Sequence, residues 1–241
     1  MFSYSQIFDN KQNILFVVAH PDDIVIFYGA LINKLVKDNK NVYVVTVSNG
    51  ARGSRNDVIS EKELTDIRFN EDVLALNSLG VPTENYSNLN YSDGEIDSNY
   101  KLIGQISYFI RKYKADIVCT HEPTTIYTTT YDKSGFFVQH RDHRQTAEAV
   151  VDSCYPFSRD RSFFPEHFTE GIEPHTVMEI LMTDEIQSNF QIDYSMDLDT
   201  KQKALSLYKS QMDENTVTEI LDSVKDGDKY MEKYFYVKLL W

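Results

Sequence analysis

The sequence predicts an α/β fold with a mainly parallel sheet and helices on both of its faces. Residues 14–19 (ILFVVA) and 42–48 (VYVVTVS) are continuous apolar runs rich in β-branched residues, as in strands buried on both faces. Segments with apolar residues at helical spacing separate such runs, and this alternation is typical of a parallel sheet. Because 241 residues suit one large α/β domain, we predict a Rossmann-like single domain over residues 1–241.

The other elements follow from the same patterns in chain order. The segment NGARGSRND at 49–57 is a loop with two glycines, and Gly80 is in position to cap a preceding helix. Residues 122–139 lack clear periodicity and are predicted as a loop, as are 84–99 and 156–175. We predict helices at about 24–35, 60–79, 103–110, 140–153 and 199–211, and strands at 115–121, 176–184 and 189–196.

Composition excludes several classes of partner. The formal net charge is −13, with 37 acidic and 24 basic residues, which would repel nucleic acid and anionic lipid. No apolar run approaches the ~20 residues of a membrane span, and the first residues do not resemble a signal peptide. Cys119 and Cys154 are too few for a disulfide framework, and Cys119 is expected to be a buried free thiol. We therefore expect a cytoplasmic protein with no nucleic-acid partner and no membrane insertion.

A polar cluster interrupts the first buried region. His20-Pro21-Asp22-Asp23 follows the first strand directly, and the chain then becomes apolar again. Charges are rarely placed beside a core without a cap, a salt bridge or a metal ion to compensate them. In open α/β sheets, ligands bind beyond the carboxyl ends of the strands. His121 and the SNGARG segment follow other strands at the same edge, so this edge is the predicted site.

The residue types in this cluster suit a metal site. A catalytic Zn²⁺ typically takes three His or carboxylate ligands and leaves one position open. His20 and Asp23 could supply two ligands, and one histidine of HRDH at 140–143 could supply the third. In an adjacent acid pair, one carboxylate can bind the metal while the other acts as a general base. The alternatives are that Asp22 or Asp23 caps the next helix and that Asp142 caps the helix beginning near His143.

Three motifs together resemble the LmbE-like, or PIG-L, deacetylase family. They are AHPDD after a buried strand, HxDH at the start of a downstream helix, and R-x-x-E before LGV. The resemblance runs from about residue 14 to at least residue 155, and extends faintly to ALSLYKSQ at 204–211. It implies an LmbE-like fold and a zinc-dependent N-deacetylase acting on N-acetylglucosamine-type groups.

The resemblance also implies roles for individual residues. It makes His20, Asp23 and His143 the zinc ligands. Asp22 takes the place of the general base that activates the metal-bound water. His140 matches a histidine that stabilises the oxyanion and helps to protonate the departing amine.

Further positions have roles that the resemblance implies less directly. Asp142 would orient or tune one of the imidazoles. Arg68, with Glu71 beside it, occupies a position linked to sugar binding in relatives. The alternative for Arg68 is an i,i+3 ion pair with Glu71 on a solvated helix face.

Three other side chains are candidates for substrate contacts. Arg52 and Arg55 lie in the loop after the second strand and could meet a carboxylate or phosphate, although such loops are often simply solvated. His121 could line the pocket, or it could hydrogen-bond to a neighbouring loop.

Two positions depart from the family pattern. Relatives usually read AHPDDE, whereas residue 24 is Ile. Tyr208 stands where a histidine is common. The acid at position 24 is neither a ligand nor the base in the family assignment, so the metal site and the base are expected to be retained. The departure at Tyr208 concerns the substrate pocket near the C-terminal helix, for which the resemblance therefore implies less.

We therefore expect a hydrolase that removes an acetyl or other acyl group from the nitrogen of an N-acetylated amino sugar or related glycoconjugate. One Zn²⁺ per chain is the expected cofactor, with Fe²⁺ or another divalent ion as alternatives. The rival functions are a metal-dependent esterase or other amidase, a non-haem iron oxygenase with two histidines and one carboxylate, and a non-catalytic carbohydrate-binding relative. A homo-oligomer is compatible with the family, whose members are often multimeric.

Overall fold

A computed structural model describes residues 1–53, 59–129, 136–183 and 187–240. Within these residues the chain alternates between strands and helices, as the sequence predicts. The strands are β1 (Asn13–Val18), β2 (Asn41–Ser48), β3 (Tyr86–Tyr91), β4 (Ile117–Thr120), β5 (Tyr127–Thr129), β6 (Phe136–Val138), β7 (Glu179–Thr183), β8 (Phe190–Asp193), β9 (Lys225–Asp226) and β10 (Lys229–Lys238). The α-helices are α1 (Tyr4–Phe8), α2 (Asp23–Lys37), α3 (Glu61–Ser78), α4 (Tyr100–Tyr113), α5 (Arg141–Asp152), α6 (Glu166–Thr169), α7 (Leu198–Leu205) and α8 (Glu214–Ser223).

The central sheet is mixed but mainly parallel, in the order β3-β2-β1-β4-β7-β10-β8. β1 pairs in parallel with β2 and β4, and the parallel pairing continues outward to β3 and β7. β10 is antiparallel to both of its neighbours, β7 and β8. The carboxyl ends of β1, β2 and β4 therefore lie at one edge, where the sequence places the polar cluster.

Both faces of the sheet are covered, which explains the uninterrupted apolar strands. In β1, Ile14, Phe16 and Val18 pack into one core with residues of α2, α3, α7 and α8. The alternate residues Leu15 and Val17 pack into a second core with α4 and α5. Successive side chains of a strand point to opposite faces, so both sets must be apolar. The predicted fold class is confirmed.

One predicted loop and the end of one predicted helix are wrong. Residues 122–139 are not simply a loop, because β5 and β6 form an antiparallel pair within them. The helix predicted over 199–211 ends at Leu205, because the following residues turn to hydrogen-bond elsewhere: Tyr208 donates to Asp72, and Ser210 donates to Glu71.

Besides β5 and β6, six elements were not predicted, namely α1, β3, α6, α8, β9 and β10. The short helix α6 lies within 156–175, so the prediction of a loop there is wrong in part. β3 lies in the region interpreted as a long loop at 84–99, and only one of its six residues is fully buried. β10 is an interior strand, although its sequence KYMEKYFYVK carries four charges. Its buried charge is Glu232, which has compensating partners in α2 and α7.

The middle of α2 is built around that charge. Glu232 accepts hydrogen bonds from the backbone N–H groups of Ala30 (2.8 Å) and Leu31 (2.9 Å). Lys201 of α7 donates to the carbonyl of Ile26 (2.7 Å) and to Glu232 (2.6 Å). The Ala30 N–H and the Ile26 carbonyl are groups that an α-helix ordinarily pairs with each other, four residues apart. Thus β10 and α7 are fixed to the helix that begins at the polar cluster.

Cys119 and Cys154 are both buried free thiols, as predicted for Cys119. Among the described helices, none has the length and apolar character required to cross a membrane.

Candidate active site and metal centre

The turn between β1 and α2 brings His20 and Asp23 together. The carboxylate of Asp23 accepts a hydrogen bond from the backbone N–H of His20 (2.8 Å), so the residue that begins α2 also closes the turn. Asp22 is at the N-cap position, but its side chain makes no capping hydrogen bond to the helix. The alternative that Asp22 serves as a side-chain cap is therefore wrong.

Donor atoms of three residues converge at this turn. Nδ1 of His20 lies 3.3 Å from Nε2 of His143 and 3.3 Å from Oδ2 of Asp23. Nε2 of His143, on the first turn of α5, lies 3.2 Å from Oδ1 of Asp23. His20 and Asp23 are joined in sequence, whereas His143 comes from the helix on the other face of the sheet. The fold thus brings together the AHPDD and HRDH motifs, as the sequence predicts for a shared site.

The spacing of these donors suits a small divalent ion. The closest donor atoms of each pair of these residues are 3.2–3.3 Å apart, with His20 facing Oδ2 of Asp23 and His143 facing Oδ1. In the described residues, His143 is within reach of a shared ion both with His20 and His140 and with Asp23 and His121. The set of two imidazoles and one carboxylate is also one that Zn²⁺ accepts. Local charge agrees, since hydrogen bonds to Asp142 and Asp23 outweigh burial and raise the pKa of His20 to about 10. The surroundings therefore stabilise positive charge at this point.

The outer nitrogen of His20 faces two further carboxylates. Its Nε2 is 3.3 Å from Asp142 and 3.5 Å from Asp93. Asp142 is fully buried and also accepts the backbone N–H of Gly94 (2.8 Å). A carboxylate behind a ligating histidine fixes the orientation of the ring and strengthens its basicity. Asp142 is therefore placed to orient the ring of His20 rather than that of His143.

His140 is the N-cap of α5 and is exposed to solvent at the mouth of the site. Its Nδ1 accepts the backbone N–H of Asp142 (3.2 Å), so the ring in its neutral form carries its proton on Nε2. Burial and the neighbouring imidazoles of His20 and His143 lower the pKa of His140. The suggested cap by Asp142 is wrong, because His140 occupies that position.

His121 lies directly behind the candidate metal ligands. It is 1% exposed, its ring stacks on that of His143 with centroids 4.1 Å apart, and Nε2 accepts the backbone N–H of Ala19 (3.0 Å). Burial and the neighbouring His143 lower its pKa to about 4, so it is neutral at physiological pH. A side chain so enclosed packs against His143, and its predicted contact with substrate is not favoured by this position.

Asp22 stands beside the cluster with an unusual backbone, φ 99° and ψ −37°. Burial and the adjacent negative charge of Asp23 raise the pKa of its carboxyl well above the ordinary value. Asp23 shows the opposite behaviour, because His143 and His121 outweigh its burial and hold its pKa low. Two adjacent carboxyls with separated proton affinities suit a division between ligand and base.

Arg68 of α3 lies under the loop that follows β2. It is 3% exposed, and its guanidinium donates to the carbonyl of Gly50. A Cβ at Gly50 or Gly53 would lie 2.9 or 2.8 Å from Nη1, so glycines at these positions allow the loop to close over Arg68. Glu71 is bonded to Ser210 and is likewise buried, which makes the alternative of a solvated Arg68–Glu71 ion pair wrong.

Two further arginines, Arg52 and Arg55, were predicted as candidates for substrate contacts. Arg52 is exposed, pairs with Glu61 and Glu95, and donates its backbone N–H to Asp93 (3.1 Å). Its guanidinium is therefore engaged at the rim of the site. Arg55 lies outside the described residues.

The segment at 208–211 reaches the site from the far end of the chain. Tyr208 is fully buried and donates to Oδ1 of Asp72 (2.8 Å), and Gln211 donates to the carbonyl of Pro21 (3.2 Å). Ile24 is buried in the apolar core. The two departures from the family pattern are thus both internal to the fold.

Sequence reasoning missed Asp93 and Asp72. Asp93 lies in YSDGEI, which was interpreted only as a turn, yet its carboxylate is 3.5 Å from His20. The available signal was positional: had β3 been recognised, its end would have fallen at the same edge of the sheet as His20. Asp72 lies inside a helix beside the R-x-x-E motif, and no local pattern distinguishes it from a solvated acid.

Fold and site together define an α/β enzyme with a candidate metal centre at the carboxyl edge of its sheet. Residues 15–154 match the sequence model of the PIG-L family, described as GlcNAc-PI de-N-acetylase. The match covers more than half of the chain, which therefore belongs to the PIG-L, or LmbE-like, family of N-deacetylase hydrolases. The resemblance of the motifs is confirmed.

Individual relatives agree with the fold. Diacetylchitobiose deacetylase of Thermococcus kodakarensis is 24% identical over 214 residues, covering 89% of this chain and 75% of the relative. The structure of N,N'-diacetylchitobiose deacetylase from Pyrococcus horikoshii superposes with a TM-score of 0.85 at 24% identity, covering 97% and 86% of the two chains. GalB, a 4-carboxy-2-hydroxymuconate hydratase from Pseudomonas putida, reaches a TM-score of 0.71 at 16% identity, over 94% and 96%. A hydratase with this fold means that the fold alone does not select the reaction.

Proposed function

We propose that this enzyme hydrolyses the N-acetyl group of a small N-acetylated amino sugar or related glycoconjugate, as one domain and with one divalent ion per chain. The observation that carries the proposal is the convergence of His20, Asp23 and His143 within 3.3 Å of one another. Asp22 and His140 lie beside these three and are not needed as ligands. A diacetylchitobiose deacetylase among the relatives supports an amino-sugar substrate.

His20, Asp23 and His143 would hold the ion, for which Zn²⁺ is our first choice. Such an ion lowers the pKa of a water molecule towards neutrality and polarises the amide carbonyl. The carboxylates of Asp142 and Asp93 would keep the His20 ring in place from the other side.

Asp22 would accept the proton of the attacking water as the general base. Its carboxylate is not used to cap α2, because the N-cap position makes no side-chain hydrogen bond to the helix. Burial and Asp23 raise its pKa, which strengthens it as a proton acceptor. The proton then held on Asp22 is available to the departing amine nitrogen.

His140 would stabilise the oxyanion. Since Nδ1 accepts from Asp142, the neutral ring donates through Nε2, and a single such donor is typically worth about 3–4 kcal/mol in the transition state. Its lowered pKa makes it mainly neutral at pH 7. We therefore assign it hydrogen-bond donation first, and proton delivery to the amine only in its charged form.

The test is acetate release from a panel of N-acetylated amino sugars, including N-acetylglucosamine and N,N'-diacetylchitobiose, by protein purified with Zn²⁺. We expect equal amounts of acetate and free amine. Asp22→Asn should lower kcat by about 10²–10⁴-fold, because it removes the base. Asp97→Asn is the matched control, since Asp97 is an exposed carboxylate paired with Arg141 at the surface.

Different failures have different meanings. No acetate from any member of the panel would contradict the amino-sugar deacetylase. Release only from O-acetyl analogues would favour the esterase instead. Wild-type rates in Asp22→Asn would leave the deacetylase intact and remove Asp22 as its base.

A further inference from the structure

The backbone of Asp22 has an unfavourable conformation, and its side chain makes no hydrogen bond to α2 that would stabilise it. Its φ of 99° lies in a region that residues other than glycine rarely adopt. Its carbonyl accepts the N–H groups of Val25 and Ile26 (both 3.0 Å), but its side chain makes no bond to the helix. Unfavourable backbone conformations persist only where the surroundings hold them. Some other group must therefore fix this peptide.

That group is the carboxylate of Asp72, on α3. The backbone N–H of Asp22 donates to Oδ1 of Asp72 (3.3 Å), and the hydroxyl of Tyr208 donates to the same oxygen (2.8 Å). Oδ2 accepts from Tyr86 (2.6 Å) and Thr46 (3.2 Å). Each oxygen thus has two donors, and Asp72 is completely buried. With two donors on each oxygen, such an ionised carboxylate has no free acceptor site for a substrate.

The four donors come from four separate parts of the fold. Thr46 belongs to β2, Tyr86 begins β3, Tyr208 follows α7, and Asp22 precedes α2. The family pattern has an acid at position 24, but here Ile24 is apolar and packed into the core. In this chain, the backbone N–H of Asp22 is bound by the carboxylate of Asp72.

We propose that Asp72 is a positioning residue for Asp22, and this rests on the proposed function of Asp22 as the base. Asp72 holds the Asp22 peptide in its strained conformation and thereby aims the Asp22 carboxylate at the attacking water. Tyr208 anchors the oxygen that makes this contact. Asp72 itself touches no reacting atom.

The kinetic test compares Asp72→Ala with Asp72→Asn in the zinc-loaded enzyme. Asp72→Ala should lower kcat by about 100-fold, the scale of a displacement of about 1 Å at a reacting group, with KM nearly unchanged. Asp72→Asn should restore most of the rate. Its amide oxygen can accept from Asp22, while its NH₂ group faces hydroxyls of Tyr86 and Thr46 that can accept.

Tyr86→Phe is the matched control, because it removes one buried hydrogen bond from the same carboxylate at the other oxygen. A positioning role predicts that Tyr86→Phe lowers the melting temperature but affects kcat little. Tyr208→Phe removes the hydrogen bond that Tyr208 donates to Oδ1, and it should lower kcat several-fold more than Tyr86→Phe. This pair of variants provides the test if Asp72→Ala does not fold. Equal losses of kcat in the two phenylalanine variants, or wild-type kcat in a folded Asp72→Ala, would overturn the proposal.

A crystal structure gives a readout that does not depend on activity. In Asp72→Ala, or in Tyr208→Phe if the alanine variant does not fold, we expect Asp22 to leave the positive-φ region; in Asp72→Asn we expect it to remain there. An unchanged φ in the variant without the Oδ1 contact would overturn the proposal. If wild type hydrolyses no substrate, the proposed function fails, and this structural comparison still decides the role of Asp72.

Discussion

Asp72 carries a charge that the folded chain must keep in its interior at neutral pH. Burial raises its pKa to about 6, although hydrogen bonds from Tyr86 and Tyr208 oppose the rise, against an ordinary value of 3.8. The folded state therefore binds this proton more tightly than the unfolded state does. The stabilisation from protonated Asp72 is complete below about pH 4 and is lost as the pH rises through 6.

This behaviour predicts a pH-dependent gain for Asp72→Asn, which cannot ionise. A difference of about two pKa units corresponds to about 3 kcal/mol. The free energy of unfolding of Asp72→Asn, relative to wild type, should therefore increase by about 3 kcal/mol between pH 4 and pH 7. Urea titrations of both proteins at several pH values measure it. Parallel pH profiles would contradict a buried, charged Asp72.

At the scale of residues, the sequence locates the parts of the site that are contiguous. His20, Asp22 and Asp23 stand in one motif at a strand end, and His140 and His143 stand in another. Asp93 and Asp72 could not be found this way, because each contacts the first motif only through the tertiary fold. The chemical type of such a residue is visible in the sequence, but its partner is not.

At the scale of elements, α2 depends on side chains inserted among its backbone groups. Lys201 and Glu232 are each 2% exposed and pair at 2.6 Å, while Lys201 also satisfies the carbonyl of Ile26. Removing one partner of a buried ion pair leaves the other charge uncompensated. The cost exceeds that of any surface pair.

Lys201→Met should therefore lower the free energy of unfolding by about 3–5 kcal/mol, since it leaves Glu232 unpaired and the Ile26 carbonyl without a donor. Urea denaturation measures the change. Adding Glu232→Gln should cost less than the sum of the single changes, because the second change removes the unpaired charge. Lys225→Met, which removes a surface pair with Asp222, is the control and should not change the midpoint. A Lys201→Met variant as stable as this control would contradict a supporting role for the pair.

The Lys201–Glu232 pair explains why β10 was not predicted. Buried strands are recognised by uninterrupted apolar runs, and Glu232 interrupts this one. Its charge is acceptable only because Lys201 and two backbone N–H groups of α2 meet it, and these come from distant parts of the chain. By contrast, β1, β2 and β4 consist of residues whose burial needs no such partners, and their ends were predicted to within two residues.

At the scale of the whole molecule, the candidate metal centre joins two layers. His20 and Asp23 lie where β1 meets α2, which packs on one face of the sheet, whereas His143 belongs to α5 on the other face. An ion held by all three would connect these layers. It would bind only the folded chain and so stabilise it.

Saturating Zn²⁺ should accordingly raise the melting temperature. At a free concentration 100 times Kd the gain is about 2.7 kcal/mol. For a chain of this size, that corresponds to a rise of roughly 5–10 °C over the protein treated with a chelator. Thermal unfolding with and without chelator measures it, and His143→Ala should abolish the shift. An equal shift in His143→Ala would place the ion elsewhere.

The position of β10 sets an order for folding during synthesis. Among the described strands, β8 pairs with β10 alone, and β10 is made after it and pairs with both β7 and β8. While the ribosome is still making the residues before β10, β7 remains an open edge and β8 has no sheet neighbour. The parallel strands β1 to β4 can pair earlier, so closure of the sheet and completion of α2 through Glu232 are late, coupled events. We therefore expect α2, which begins at the candidate metal site, to gain the support of Glu232 only when β10 has emerged.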